Sequence, residues 1–342
     1  MIPCETEPRL SENQKGTSME FLFAPMEGIT FALFRQIHYM MFPGITEYYT
    51  PFIAPDSEGS FKPKYLRDLT SDRSTNLSVI PQILANNATA FSITAGKLQA
   101  LGFTEFNLNA GCPSGTVFAK HKGAGMLADL PSLDAFLDQV FSESEQKGYR
   151  ISIKTRMGVH STQEFPAILE LYSRYPLSRL IIHARDRDGQ YRSEPDLPGF
   201  SEALKNCSCP VSYNGNLFSQ NHLDRLLACA PDTKSVMLGR GIIANPALAR
   251  TLSGREPLQC QELEQFHDTL LEGYLQGGLS SAFAVERMKQ LWYYMNSMFS
   301  DDKKEIKALL KSKILPDYQA AALSLFRSGK FCAENCFQDN IH

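Results

Sequence analysis

No apolar stretch in these 342 residues is long enough to span a bilayer as a helix, so none of them reads as a membrane-spanning segment. Residues 1–18 are polar and charged, without an apolar core or cleavage signal, which argues against secretion. They read as a flexible leader before Met19, itself a candidate start. The eight cysteines contain no paired C-x-x-C units and no Cys/His set with zinc-ligand spacing, and Cys207-Ser208-Cys209 is too tight for a zinc knuckle. With no secretory signal, they are expected as reduced thiols of a cytoplasmic protein. The formal net charge of −3 gives no global attraction for nucleic acid, so any polyanion must be held by a local basic patch. A P-loop, a Ser-His-Asp order and a zincin motif are also missing. Gly123-Ala124-Gly125 lacks the third glycine and the preceding strand of a dinucleotide fingerprint.

What the chain does have is a series of short β-rich runs, most ending in a polar or glycine-containing signature. The runs are Phe21–Ala24, Glu47–Thr50, Val79–Leu84, Glu105–Asn109, Ile151–Thr155, Leu180–His183, Val211–Tyr213 and Ser235–Leu238. Helical periodicity fills most of the gaps, at Phe31–Met41, Thr89–Leu101, Ser132–Glu145, Gln163–Tyr175, Gly199–Lys205 and Asn221–Cys229. Pro166 implies a late start for the fourth of these helices. Strands alternating with helices imply parallel βα units, and eight in about 250 residues match a closed (β/α)8 TIM barrel. Such a barrel gathers the carboxyl ends of its strands at one mouth, where ligands bind. After Pro246 the pattern becomes purely helical: Glu262–Gln276, Ala282–Ser300, Lys303–Lys313 and Gln319–Ser328, broken at Gly277-Gly278, Ser300-Asp301-Asp302 and Pro316. The expected organisation is a barrel over 19–250 and a smaller C-terminal all-helical domain over 255–342.

Asn214-Gly215-Asn216 and Gly239-Arg240-Gly241 follow the seventh and eighth runs, whose loops usually form the phosphate site of a barrel. Each alone also reads as an ordinary turn; together they favour phosphate, with Arg240 adding a charge-assisted contact. Lys154 and Arg156 lie two apart at the end of the fifth run and so point to one side. Two cations at a mouth call for an anionic partner, such as a reduced flavin or a substrate oxygen, although solvated strand-end charges fit as well. His183 also reads as a structural histidine. Gln82, whose amide suits the edge of a heteroaromatic ring, also reads as an ordinary strand-end residue. Cys112 sits in a glycine–proline turn past the fourth run. It is followed by a loop carrying Lys120, His121 and Lys122, which favours a presented thiol over an inert buried one.

At these residues the chain resembles the tRNA-dihydrouridine synthase family. The matching segments, in order, are Ala24-Pro25-Met26-Glu27-Gly28, Leu108 to Ser114 with Gly123-Ala124-Gly125, Lys154 to Gly158, His183-Ala184-Arg185, Asn214-Gly215 and Gly239-Arg240-Gly241. They cover about residues 20–250, and the Asn109–Pro113 segment is the most specific. The resemblance implies an FMN-dependent enzyme that reduces a uridine in tRNA, with NADPH as electron source. Carried over by position, Pro25, Met26, Gln82, Lys154, His183, Asn214, Asn216, Gly239 and Arg240 would bind FMN. Cys112 would be the general acid, and Asn109, Arg156 and Tyr191 would hold the uracil. Ala184 departs from the family's usual glycine, while Asp186–Glu194 most resembles a bacterial subgroup acting at position 16 of the D-loop.

Such chemistry sends a hydride to uracil C6 and needs an acid at C5, which a thiol still protonated at neutral pH can supply. The base must first be unstacked from folded tRNA, and phosphate contacts must offset that cost. Arg287, Lys289, Lys303, Lys304, Lys307, Lys311, Lys313, Arg327 and Lys330, with Trp292, Tyr293 and Tyr294 nearby, make the helical domain the expected tRNA-binding surface. A monomer without an obligatory protein partner is expected. The competing readings are an FMN barrel acting on a small pyrimidine or enone, and an RNA-binding protein that has lost the chemistry.

Overall fold

The computed structural model describes residues 19–72, 76–299, 301–328, 330–335 and 337. The expected leader, the Ser300 break, and two cysteines, Cys4 and Cys336, lie outside the described residues. Nine strand segments pair in parallel throughout: β1 Glu20–Phe23, β2 Ile45–Tyr49, β3 Val79–Ile80, β4 Gln82–Ile83, β5 Glu105–Ala110, β6 Arg150–Arg156, β7 Leu180–His183, β8 Val211–Asn214 and β9 Ser235–Leu238. Their order is β3-β2-β1-β9-β8-β7-β6-β5-β4, so the sheet ends on the two halves of one strand split by Pro81. Proline has no N–H to give a ladder, which is why a single expected run becomes two short pieces. Tyr49 pairs with Ile80 on one side of Pro81 and Gln82 with Asn107 on the other, and this closes an eight-stranded barrel.

The helices that follow these strands are α1 Ala32–Met41, α2 Pro63–Asp72, α3 Ala88–Gln99, α4 Gly115–Phe118, α5 Leu130–Lys147, α6 Phe165–Tyr172, α7 Leu197–Asn206, α8 Gln220–Cys229, α9 Arg240–Ala244 and α10 Leu248–Leu252. Local signals set many of their ends. Asn87 caps α3 by accepting from Ala90 N at 2.8 Å, and Asp196 caps α7 through Gly199 N at 2.8 Å. A Ser161/Glu164 capping box precedes α6, which begins one residue before Pro166, as that proline requires. Helix α2 has no counterpart in the sequence reading. Its described face is mostly exposed and Leu69 is its fully buried apolar anchor, so periodicity carries almost no signal there.

The tail is helical, as expected: α11 Cys260–Gln276, α12 Ser281–Met295, α13 Lys303–Lys311 and α14 Leu315–Arg327. Pro316, read as a break, instead lies in the first turn of α14, where its missing N–H has no helical partner to lose. This domain docks on α1. Phe266 packs edge-on to Phe34 at 5.4 Å and to Phe42 at 5.3 Å between ring centroids. Arg250 forks onto Glu262, and Arg287 donates to the carbonyl of Gly28 beside the barrel mouth.

Within the barrel, Leu22, Ala24, Tyr49, Ile80, Ile181 and Met237 form a small apolar plug separate from the main core. Below it Arg179 is satisfied by Glu20, Ser212 and Ser235. Elsewhere in the lumen a chain of buried amides runs from Asn109 through Gln82 and Asn107 to Ser152. Among the described residues no helix is long and apolar enough to cross a membrane.

Candidate functional site

The carboxyl ends of β1, β6, β7, β8 and β9 and the residues just beyond them border a partly open cavity, about 410 Å³ with the adjoining solvent space included. Ala24, Pro25, Met26, Lys154, His183, Tyr191, Asn214, Gly215, Gly239 and Arg240 line it, and no carboxylate is among them. Lys154 Nζ donates to Asn214 Oδ1 at 2.9 Å, and Asn214 Nδ2 donates to Met237 O at 2.9 Å. This fixes the amide orientation and aims the ammonium across the mouth. Asn216 stands behind the cavity, accepting from Arg240 Nη2 at 2.7 Å. A Cβ added at Gly239 would meet nothing nearer than Ala24 Cβ at 3.5 Å, so that wall is open backbone.

The charge balance is one-sided. Burial, and then Arg156, bring Lys154 down to about 7, so close to neutrality it gains or loses a proton easily. Burial, reinforced by Arg156, Lys154, Arg185 and Arg240, holds His183 well below the usual histidine value, so the ring is neutral. Arg185 Nη1 lies 3.3 Å from His183 Nε2; a guanidinium only donates, so the ring proton belongs on Nδ1. A cavity with cationic and amide donors and no acid fits an anionic, heteroaromatic ligand such as a phosphorylated flavin.

Beside this cavity stands the Cys112 loop. Asn109, the penultimate residue of β5, accepts the N–H groups of Gly111 and Cys112 on Oδ1 and gives Nδ2 to Gln82 Oε1 at 2.7 Å. Ala124 N donates to Cys112 O at 3.0 Å. Gly123 has φ +59°, and a Cβ there would lie 2.7 Å from Cys112 O, so this return turn needs glycine. Cys112 is half-buried, and burial pushes its thiol above the ordinary value, opposed by a Ser114 backbone contact and by Arg156 and Lys154. The sulfur therefore stays protonated at neutral pH while sharing a field with the cavity's lysine.

Arg156 is fully buried and ties two loops to the end of β6. Its Nε donates to Gly111 O at 2.9 Å, and Nη1 donates to Asp186 O at 2.7 Å and Gln190 O at 3.1 Å. Tyr191, 40% exposed, caps the cavity with its ring 4.0 Å from the Arg240 guanidinium and 5.8 Å from the His183 ring. Gln82 is fully buried and, like Asn109, to which it is hydrogen-bonded, lies outside the cavity lining. Sequence reasoning passed over Arg185, which braces the Tyr191 loop by donating to Ser193 O at 2.6 Å, and Glu27, whose charge acts on Cys112. Both sit inside motifs already noted, but no spacing rule says where their side chains turn.

On the helical domain Lys303, Lys304, Lys307, Lys311, Lys313 and Arg327 are exposed. Three other cations are engaged within the protein: Arg287 at Gly28, Lys289 at Glu286 and Ser312, and Lys330 at Asp302. Trp292 is a core residue, donating to Tyr318 at 2.9 Å, whereas Tyr293 is exposed. On the barrel rim Lys64 lies over Tyr65 at 4.7 Å and over Phe31 at 5.9 Å, with Arg287 5.5 Å from Phe31.

The chain is 26% identical over 302 residues to a tRNA-dihydrouridine(16) synthase of Shigella flexneri, covering 83% of this chain and 91% of that protein. It is 27% identical over 236 residues to a probable tRNA-dihydrouridine synthase of Staphylococcus aureus strain COL, covering 66% and 69%. A solved structure of the old yellow enzyme homologue from Zymomonas mobilis aligns with 12% identity and a TM-score of 0.48, covering 70% of this chain and 90% of that one. The family model described as Dihydrouridine synthase (Dus) matches residues 22–312, from the first strand through α13, and the chain belongs to that family.

Proposed function

We propose that this protein is an FMN-dependent tRNA reductase that converts one D-loop uridine to 5,6-dihydrouridine, with NADPH as electron source. The observation that carries the reading is the placement of the Cys112 turn: Asn109, which accepts the Cys112 N–H, pairs across the β5–β6 ladder with Lys154 of the carboxylate-free cavity. Pro25, Met26, Lys154, His183, Asn214, Gly239 and Arg240 would hold FMN, with Asn216 steadying Arg240 and Gln82 acting from beneath. Reduced FMN bound there would supply the hydride for uracil C6.

The remaining work falls to the chain. Cys112 gives its proton to C5 as negative charge gathers on uracil O4. Asn109 fixes the backbone that carries the thiol. Arg156 sets the Gly111 carbonyl and the Tyr191 loop in register and leaves its positive charge near that oxygen. Tyr191 offers an exposed ring for the base to stack against. Among the described residues of 19–250 no separate nucleotide-binding unit stands apart from the barrel, so NADPH is expected to use the flavin face that the uridine occupies later.

Residues 255–342 supply the larger part of the tRNA surface through the exposed lysines of and beside α13. The Phe31–Lys64–Tyr65 rim adds cation and aromatic contacts on the barrel side. The Shigella relative, a tRNA-dihydrouridine(16) synthase, and the Asp186–Glu194 segment both favour position 16. The protein is read as a cytoplasmic monomer. Incubation with FMN, NADPH and unmodified tRNA, followed by mapping of dihydrouridine, tests the proposal. Dihydrouridine at position 16 is expected; none at any position would overturn the reading, and a different position would overturn only the site assignment.

A further inference from the structure

Cys207-Ser208-Cys209 joins the end of α7 to the start of β8, and the site described above makes no use of it. Cys207 is the extended C-cap of α7, with φ −86° and ψ 134°, and its N–H donates to Ala203 O at 3.0 Å. From there the chain bends so that the two sulfurs lie 3.3 Å apart, both half-buried. Ser208 and Pro210 beside them are exposed, so the pair sits at the protein surface. A disulfide needs roughly 2 Å between sulfurs, and the remaining gap of about 1.3 Å is within the reach of χ1 rotations in a surface turn. The hydrogen bond from Cys209 holds Cys207 below the ordinary thiol value, whereas burial holds Cys112 up. The pair therefore offers the better nucleophile toward oxidants.

We infer that Cys207 and Cys209 form a reversible thiol–disulfide site, oxidised by hydroperoxides in preference to the Cys112 thiol. The Cys207 thiolate attacks one peroxide oxygen; the O–O bond breaks, leaving Cys207 as a sulfenic acid and releasing water or an alcohol. Cys209 then attacks that sulfur, forming the S–S bond and expelling water, so two electrons in all pass from the thiols to the peroxide. A small dithiol reverses the step by exchange. The site lies at the amino end of β8, while Asn214 lies at its carboxyl end, so the disulfide forms on the face of the barrel opposite the mouth.

The test is graded hydrogen peroxide on the reduced full-length protein, followed by alkylation and peptide mapping. The expected result is a loss of two hydrogens in the peptide joining Cys207 to Cys209, reversed by dithiothreitol, while Cys112 still alkylates. Cys112→Ala should form the same disulfide, and Cys209→Ser should leave Cys207 as a sulfenic acid trapped by dimedone. The inference is overturned if both thiols still alkylate after Cys112 has oxidised. Pairing of Cys207 with a cysteine other than Cys209 overturns it equally.

Discussion

Asn109 Oδ1 accepts the backbone N–H of Cys112, and the same side chain donates through Nδ2 to Gln82 at 2.7 Å. A strand-end amide thus fixes the position of the sulfur. Asn109→Ala would leave the Gly111 and Cys112 N–H groups without their acceptor, a loss worth about 1–3 kcal/mol. The expected outcome is a fall in turnover of about 5- to 150-fold with bound flavin retained. Full activity in single-turnover assays would show that the amide does not position the thiol.

Cys112 itself should act as an acid, with its thiol held above the ordinary value by burial. Turnover is then flat at neutral pH and falls only on the alkaline side, as the proton is lost. Cys112→Ala should keep the protein yellow and slow uridine reduction by about 10²–10⁴-fold. Unchanged turnover in that variant would remove the sulfur from the chemistry.

Lys154, depressed to about 7, links flavin affinity to pH. An anionic ligand beside it favours the ammonium, so binding takes up a proton whenever the pH exceeds about 7. FMN affinity should then weaken by up to about tenfold per pH unit above that point, and Lys154→Met should abolish the dependence. Titration of flavin-free protein at several pH values checks this; an affinity constant across the alkaline range refutes it.

Lys307 and Lys311 are exposed on α13, away from the docking contact between Phe266 and Phe34. Reversing both charges should weaken tRNA binding and flatten its salt dependence, since each phosphate contact contributes to the slope. Truncation near residue 255 is the less clean test because it would strip Phe266 from Phe34 and Phe42 and expose a core face. Unaltered affinity and slope in the reversal variant would take these lysines out of the footprint.

Gly123 tests the loop from its other side. With φ +59° and Cys112 O only 2.7 Å from a Cβ, Gly123→Ala cannot keep this turn. A stability loss of about 1–3 kcal/mol is expected, together with a larger fall in turnover than in flavin content. Denaturant midpoints and flavin absorbance separate the two, and a wild-type midpoint would refute the strain argument.

The strand runs, their parallel order and the helical tail were legible because period-2 and period-3.6 burial leave marks within a few residues of each other. Pro81, unremarked within an expected single run, and Pro316, read as a break but lying in the first turn of α14, show the limit of that locality. Proline says what the backbone cannot do, and whether the outcome is a break, an interruption or a first turn depends on neighbouring segments. Helix α2 was silent for a similar reason, with Leu69 as its one fully buried apolar contact.

The sequence by itself determined that Cys112, Lys154, His183, Asn214 and Arg240 stand at strand ends, because a parallel barrel sends every such end to one mouth. Only the tertiary structure decided how they divide the work: Lys154, His183, Asn214 and Arg240 line the cavity, Arg156 spends its donors on loops, Asn109 accepts from the Cys112 loop and donates to Gln82, and Gln82 sinks below. Trp292 likewise turns into the core while Tyr293, the next residue, faces solvent. The reason is physical. A polar side chain takes whichever partners the packed fold brings within about 3 Å, and those partners come from segments far away along the chain.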